Sequence, residues 1–349
     1  MTSTKIGVVL FNLGGPDQIS AVEPFLINLF NDPAIIRLPQ PLRYLIAKLI
    51  ARKRTPMAKE IYERLGGRSP ILEETQAQAD ALEKLLNANR SGHTFKVVIA
   101  MRYWMPRSDA AALELKKWGA DDIVLLPLYP QFSTTTTASS LTDWTRAVRD
   151  WNLKANARAV CCWPTEPGLI ASHAAKIATV LRRNPTLRVL FSAHGLPEKI
   201  VKSGDPYPAH VERTVAAVVA ELARLGLASI DWRICYQSRV GPLKWIGPST
   251  DDEIRRAGAE HKGLVVVPIA FVSEHSETLV ELDQEYRKLA HGAGVPRYER
   301  TPTPSTDPVF IAGLARLVGS ALDNTAAIAT RPGEIRCIPS AGCPLAKLS

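Results

Sequence analysis

Long apolar runs are missing from this chain: the longest uncharged one, Leu264 to Val272, has nine residues, against the roughly 20 that a membrane-spanning helix needs. Cysteine is scarce. The five present, Cys161, Cys162, Cys235, Cys337 and Cys343, form an odd set at no disulfide-framework spacing. That excludes a small stapled secreted fold and suits a reducing compartment. A signal-peptide reading of Ile6 to Leu13 is not expected, because a single lysine precedes it, and Asn12-Leu13-Gly14-Gly15-Pro16-Asp17 reads as a strand-to-loop turn instead of a cleavage site. The expected location is therefore the cytoplasm. No motif interleaves the scattered arginines and lysines with aromatics, which argues against nucleic acid as the partner. The net charge of +9 nevertheless favours an anionic partner, either a small molecule or a membrane surface.

At 349 residues the chain exceeds what one core usually fills, so two domains of roughly 150 residues are expected. Short runs of Val, Ile and Leu alternate with stretches of helical period, the pattern of βαβ units around buried parallel sheets. Strands are predicted near Ile6–Asn12, Phe95–Met101, Ile123–Leu128 and Ala157–Trp163 in the first half. Arg188–Ala193, Ile230–Tyr236 and Leu264–Phe271 follow in the second. The expected organisation is an α/β domain over residues 1–165, rejoined by a C-terminal helix at 308–322, a second over 166–305, and a polar tail at 323–349. A helix over Gly168–Arg182 links the two. One segment departs from this regularity. Leu38 to Arg54 puts Leu42, Leu45, Ile46, Leu49 and Ile50 on one helical face beside Arg43, Lys48, Arg52, Lys53 and Arg54. Two readings stand: a basic amphipathic helix lying on an anionic bilayer, or a helix whose apolar face meets the core.

Two histidines carry the chemistry. His194 closes the apolar run from Val189 and precedes Gly195; His275 closes the run from Val265. In an open α/β sheet the carboxyl ends of strands line the ligand crevice, so each is placed to act there. Neutral His194 can accept a proton near pH 7, though a structural histidine at a strand end has the same pattern, and Gly195 beside it permits a close backbone approach. After His275 the stretch from Ser273 to Asp283 has the look of a helix start, with Ser273 as cap. Glu277 and Glu281 then share a helix face at i, i+4, which weakens a helix and suits a hydrated divalent cation or a proton relay; a solvated acidic face is the plain alternative. The Gly/Pro-rich loop from Tyr236 to Pro248 can present Trp245 as a flat wall, with Gln237 and Arg239 toward polar groups of a ligand. The hydroxyl-rich run Tyr129 to Ser140 can bind an anion or cap the next helix. Arg102, Tyr103 and Trp104 end another strand. Together these suit a large flat ligand bearing carboxylates.

Seven stretches in order resemble the ferrochelatase family over about Ile6 to Leu322. They are Asn12–Pro16, Gly66–Ile71, Arg102-Tyr103, Tyr129-Pro130-Gln131, Ser192–Pro197, Tyr236–Pro242 and Ser273–Leu279. The resemblance implies two Rossmann-like domains, each a four-stranded parallel sheet flanked by helices, clasping a porphyrin. It implies insertion of Fe²⁺ into protoporphyrin IX with release of two protons. No cofactor is required, and Fe²⁺ is a substrate. It makes His194 the pyrrole base or an iron ligand, and Glu277 an iron ligand or part of an acidic path with Glu281, beside Glu274 and His275. Leu13, Arg102, Tyr103, Gln237, Ser238 and Trp245 become substrate contacts. The Leu38 to Arg54 helix matches a lip, about residues 35–54, that meets the membrane; contact with the preceding enzyme of the haem pathway is also implied. Some members bind a [2Fe-2S] cluster. Here Thr134 stands at the internal cysteine position of the animal enzymes, and Cys161, Cys162, Cys337 and Cys343 are the candidate ligands. The rivals are another type II chelatase, acting on coproporphyrin or inserting cobalt, and a non-catalytic tetrapyrrole carrier. The carrier has no use for a base and paired glutamates.

Overall fold

The computed structural model describes residues 3–89, 92–239, 243–323 and 336–337. In chain order the strands are β1 Thr4–Asn12, β2 His93–Met101, β3 Asp122–Pro127, β4 Asn156–Ala159, β5 Arg188–His194, β6 Trp232–Gln237, β7 Leu264–Pro268, β8 Tyr298–Arg300 and β9 Arg336–Cys337. The chain divides into two compact units, Met1–Trp163 with Ile311–Ser349, and Pro164–Phe310. Each holds one parallel sheet, ordered β2-β1-β3-β4-β9 in the first and β6-β5-β7-β8 in the second. Four strands per sheet were expected; the first gains a two-residue fifth, β9, paired with Arg158 and Ala159 of β4.

The strands form where β-branched and leucine residues run together because helices cover both faces of each sheet. Every residue of β7 is buried, as is β1 from Ile6 onward. In both sheets the first strand lies in the middle and the chain winds away from it on each side. That leaves a topological switch point beside the carboxyl ends of β1 and β5, where α/β proteins bind ligands. The helix Pro167–Arg183 starts cleanly: Pro167 occupies its first position, and the Glu166 carboxylate accepts the Leu169 N–H at 2.8 Å.

Several expectations need correction. β4 stops at Ala159, although Val160 and Trp163 still donate to Leu125 and Pro130 carbonyls. β7 stops at Pro268, which has no N–H for a neighbouring strand. β8 was not read at all, since Tyr-Glu-Arg is too short and polar to signal a strand; it is held by the Tyr298 hydroxyl donating to the Leu282 carbonyl at 2.7 Å. Ser273 does not stand at the helix start, where Ser276 does. The helix begins later and runs as a π-helix over Glu277–Glu285 before returning to α over Tyr286–Gly292. Single π turns interrupt helices mostly at functional sites.

The basic amphipathic segment is helical over Leu42–Glu63, and its leucine face does not meet the core. Leu42, Leu45 and Leu49 are 49%, 55% and 69% exposed, whereas Ala47, Ala51, Thr55 and Tyr62 are buried. Small residues seat this helix against Val22, Phe25 and Leu26, which leaves the large apolar ones outside.

Two glycines test the packing of the second unit. A Cβ on Gly258 would lie 2.0 Å from the Ala293 carbonyl oxygen, whereas one on Gly292 would meet nothing within 4 Å. Gly258→Ala is expected to destabilise by about 2–3 kcal/mol, and Gly292→Ala, in a helix, to be neutral or stabilising by up to about 1 kcal/mol. Urea unfolding of both variants measures the difference.

Candidate active site

The chemistry of the second unit gathers where β5 and β7 end. His194 is the last residue of β5. Its Nδ1 lies 2.6 Å from the Gly195 carbonyl oxygen, and His275 Nδ1 lies 3.0 Å from the Ser273 carbonyl oxygen. A carbonyl only accepts, so Nδ1 carries the proton in both rings and each neutral Nε2 keeps a lone pair. Both Nε2 atoms face one carboxylate: His194 Nε2 stands 3.8 Å from Glu277 Oε1, and His275 Nε2 stands 3.8 Å from Oε2. These are ion-pair separations, too long for hydrogen bonds. Glu277 Oε2 is buried and has no hydrogen-bond partner. A carboxylate that faces two imidazole lone pairs, one at each oxygen, with Oε2 buried and unpartnered, lacks something positive, a proton or a cation.

Glu281 is in the opposite condition. Its oxygens accept from Ser238 N at 2.9 Å, Ser238 Oγ at 2.5 Å, Gln237 Nε2 at 3.1 Å and the Tyr286 hydroxyl at 3.2 Å. Ser238 reaches it with both donors because its backbone is left-handed, φ +61°, a strained conformation for a residue with a side chain. Burial would raise the Glu277 carboxyl, but His194 and His275, once either takes up a proton, outweigh it and hold the group below its ordinary value. Burial raises Glu281, and the negative Glu277 raises it further. Burial would lower His275; the adjacent Glu277 outweighs that and raises it. Two carboxylates whose tendencies are pushed apart take different roles: Glu277 stays anionic, and Glu281 accepts a proton more readily.

Trp245 forms a wall beside this group, its ring centroid 6.5 Å from that of His194. The glycine after His194 serves that wall. A Cβ on Gly195 would stand 3.0 Å from the Gln237 carbonyl oxygen and 3.2 Å from the Trp245 ring, so the close approach it permits is by the protein's own loop. Phe271 packs edge-on against the His275 ring with centroids 4.6 Å apart. Burial, and then Tyr236 and Glu277, push the phenol of buried Tyr207 well up, so a neutral hydroxyl stands close to this group.

The expected site residues sort into three sets. His194, His275, Glu277, Glu281 and Trp245 come together. Gln237 and Ser238, expected to contact a ligand, instead hold Glu281; Gln237 is fully buried. Arg239 is exposed and 4.0 Å from Asp252. Glu274 does not join Glu277: its carboxylate pairs with Arg300 at 3.0 Å and accepts the Thr303 N–H at 2.8 Å. In the first unit Arg102, Tyr103 and Leu13 lie at the carboxyl ends of β2 and β1. Tyr103, expected near a ring, is fully buried, and its hydroxyl donates to Asp32 Oδ2 at 2.8 Å. Arg102 pairs with the same oxygen at 2.8 Å, donates to Ser139 Oγ at 2.6 Å, and keeps 13% exposure. Leu13 packs with the cluster around Phe25. Asp32, Tyr207 and Tyr286 were missed because an isolated Asp or Tyr in a helix or loop has no spacing to mark it. Cys161 and Cys162 are buried with sulfurs 3.5 Å apart; Cys343 lies outside the described residues. Among the described residues no three acidic, His or Cys side chains close around a point as a metal cage.

A parallel sheet in each unit, with a base and a carboxylate at a switch point, defines a class that handles protons and cations. Its fold is that of a chelatase. A structure of SirB from Bacillus subtilis with Fe³⁺ superposes with a TM-score of 0.52 over 93% of this chain and 97% of that one, at 12% identity, a likeness of fold. The ferrochelatase family profile matches residues 5–322. Ferrochelatases of Phenylobacterium zucineum and Caulobacter vibrioides are each 54% identical over 326 and 317 residues, covering 93% and 90% of this chain and 93% and 89% of theirs. That of Hyphomonas neptunium is 48% identical over 99% of this chain and 96% of its own. The chain belongs to the ferrochelatase family.

The division of labour among the glutamates can be measured. Glu274→Gln is expected to cost about 2–3 kcal/mol of stability by leaving Arg300 partly unpaired, with little loss of turnover, and Glu277→Gln the reverse. Burial would raise the Glu274 carboxyl, but Arg300 outweighs it and holds the group below its ordinary value. Its contribution is therefore present above the unfolded carboxyl range, about pH 4.3, and is lost as pH falls through the lower folded value. The stability gap between the native chain and Glu274→Gln should be constant at neutral pH and close below about pH 4, as read by urea unfolding across pH.

Proposed function

We propose that this chain is a lyase that inserts Fe²⁺ into protoporphyrin IX, forming protohaem and releasing the two pyrrole protons. The observation that carries this reading is Glu277, a carboxylate with one unpartnered oxygen facing the Nε2 atoms of His194 and His275. Pyrrole nitrogens must lose their protons before they can bind a metal, and His194, partly exposed and with Nε2 free of hydrogen bonds, is placed to accept one. Glu277 stabilises the resulting imidazolium or receives the cation, and Glu281, the more basic carboxylate, is the next acceptor for a proton. The Trp245 face beside His194 supplies a flat apolar wall for a macrocycle.

Three finer points belong to the same reading. The exposed Leu42, Leu45 and Leu49, with Lys48, Arg52 and Lys53 exposed alongside, suit a peripheral contact with the anionic inner face of a membrane. No described helix is long and apolar enough to cross one. A cytoplasmic setting, with access to the preceding haem-pathway enzyme, fits the unbridged, buried thiol of Cys235. The reaction itself needs no cofactor. Cys161 and Cys162 follow β4, and Cys337 on β9 is in register with Ala159 of β4. These three with Cys343 are the residues that would hold a [2Fe-2S] cluster, an electron-transfer group for which the chelation has no use.

Anaerobic mixing of the purified chain with protoporphyrin IX and Fe²⁺ should give multiple turnovers, followed by loss of porphyrin fluorescence. His194→Ala is expected to lower kcat by about 10²–10⁴-fold with porphyrin binding retained; porphyrin binding without turnover in the unaltered chain would leave only a carrier. Faster turnover of coproporphyrin would move the reading to the related chelatase. Leu45→Ser with Leu49→Ser should lower co-sedimentation with vesicles containing phosphatidylserine. Unchanged binding would remove the leucine face from the membrane contact.

A further inference from the structure

Behind Glu281 lies a group of polar side chains that the proposed reaction does not use. Gln237, Ser192, Thr250 and Cys235 are all fully buried. The Gln237 amide is held at both ends: Nε2 donates to Glu281 Oε2 at 3.1 Å and to the Glu277 carbonyl at 3.3 Å, and Oε1 accepts from Ser192 Oγ at 2.8 Å. Ser192 Oγ is 3.0 Å from Thr250 Oγ1, which donates to Cys235 Sγ at 3.3 Å. Burial pushes the Cys235 thiol up to about 12, so the far end of the group is neutral and brings no charge toward Glu281.

A glutamine amide can be seated in two orientations, and here only one directs N–H groups at two acceptors. The hydroxyl of Ser192 rewards that orientation from the other side, because it supplies a donor where the amide oxygen then lies. Ser192 is two residues before His194 on β5, and Gln237 is opposite His194 on β6. The buried hydroxyls are thus built into the two strands that carry the proton acceptor and the clamp on Glu281. We propose that Ser192, supported by Thr250, is a positioning residue for metal handling: it seats the Gln237 amide so that Glu281 stays occupied by donors and Glu277 alone meets the cation. The inference rests on the reading of Glu277 as the carboxylate that receives the metal. A cation held by one carboxylate moves on more readily than one held by two.

The test is a double-mutant cycle with Co²⁺ as the probe. In Ser192→Ala the amide oxygen loses its donor and the Gln237 amide is no longer fixed, so Glu281 loses one of its four held donors, keeping Ser238 and Tyr286, and its Oε2 turns more readily toward an ion on Glu277. Co²⁺ binding by the porphyrin-free protein, measured calorimetrically, should tighten at least about threefold while kcat falls by a similar factor, since stronger ground-state binding does not speed the step. Porphyrin affinity should be unchanged. In a Gln237→Met background the Ser192 change should have no further effect on Co²⁺ affinity. Thr250→Val should shift Co²⁺ affinity in the same direction and Thr250→Ser should restore it, which gives a second route if Ser192→Ala folds poorly. Unchanged or weaker Co²⁺ binding in Ser192→Ala and Thr250→Val, or additive effects across the cycle, overturns the proposal. If the unaltered chain inserts no metal yet the non-additive tightening is found, the positioning role stands and the chelatase reading fails.

Discussion

A strand that is apolar and covered on both faces can offer a functional group only where it stops. That constraint organises this chain. β5 lies between β6 and β7, β7 pairs with β5 and, over Leu264–Val266, with β8, and every residue of the two strands except His194 is buried. His194 and the segment from Ser273 to Glu277 therefore emerge together at the switch point, where neighbouring strands lead the chain away to opposite sides of the sheet. The burial that drives folding also delivers the chemistry to one edge.

At that edge the electrostatics rest on an asymmetry between two carboxylates four residues apart. Glu281 is saturated with donors, while Glu277 has two imidazole Nε2 atoms nearby and an oxygen with no hydrogen bond. Two glutamates so close would repel if treated alike. The π-helical turn and the left-handed Ser238 give them different surroundings: the Ser238 and Gln237 donors favour the Glu281 anion, but burial and the negative Glu277 outweigh them and raise that group. The left-handed Ser238 holds local strain where the site needs geometry that regular structure does not provide.

Much of this was legible in the residues. The two parallel sheets follow from the Val, Ile and Leu runs, and His194 and His275 were placed at strand ends by the points where those runs break off. β8 was not legible, because Tyr-Glu-Arg has neither length nor apolar period; it is placed by parallel pairing with β7, and the Tyr298 hydroxyl donates to the Leu282 carbonyl. Nor could Gln237 and Ser238 be told from ligand-binding residues. A polar pair after a strand reads the same whether it faces a substrate or the carboxylate of a helix 40 residues later. Glu274 shows the same ambiguity, an acidic residue beside the others in sequence yet tied to Arg300 in space.

The leucines of the Leu42–Glu63 helix mark the boundary most plainly. Their amphipathic period was readable, but which side faces inward was set by packing, since Ala47 and Ala51 allow a closer approach to the neighbouring helix than leucine would. The order of residues alone determined the alternation of strands and helices, the shortness of the apolar runs and the motifs of a chelatase, because each depends on local composition and spacing. Only the tertiary structure decided which carboxylate is clamped and which is open, which apolar face stays exposed, and that Arg102 and Tyr103 share Asp32. These depend on distances between residues far apart in the chain, which no local pattern encodes.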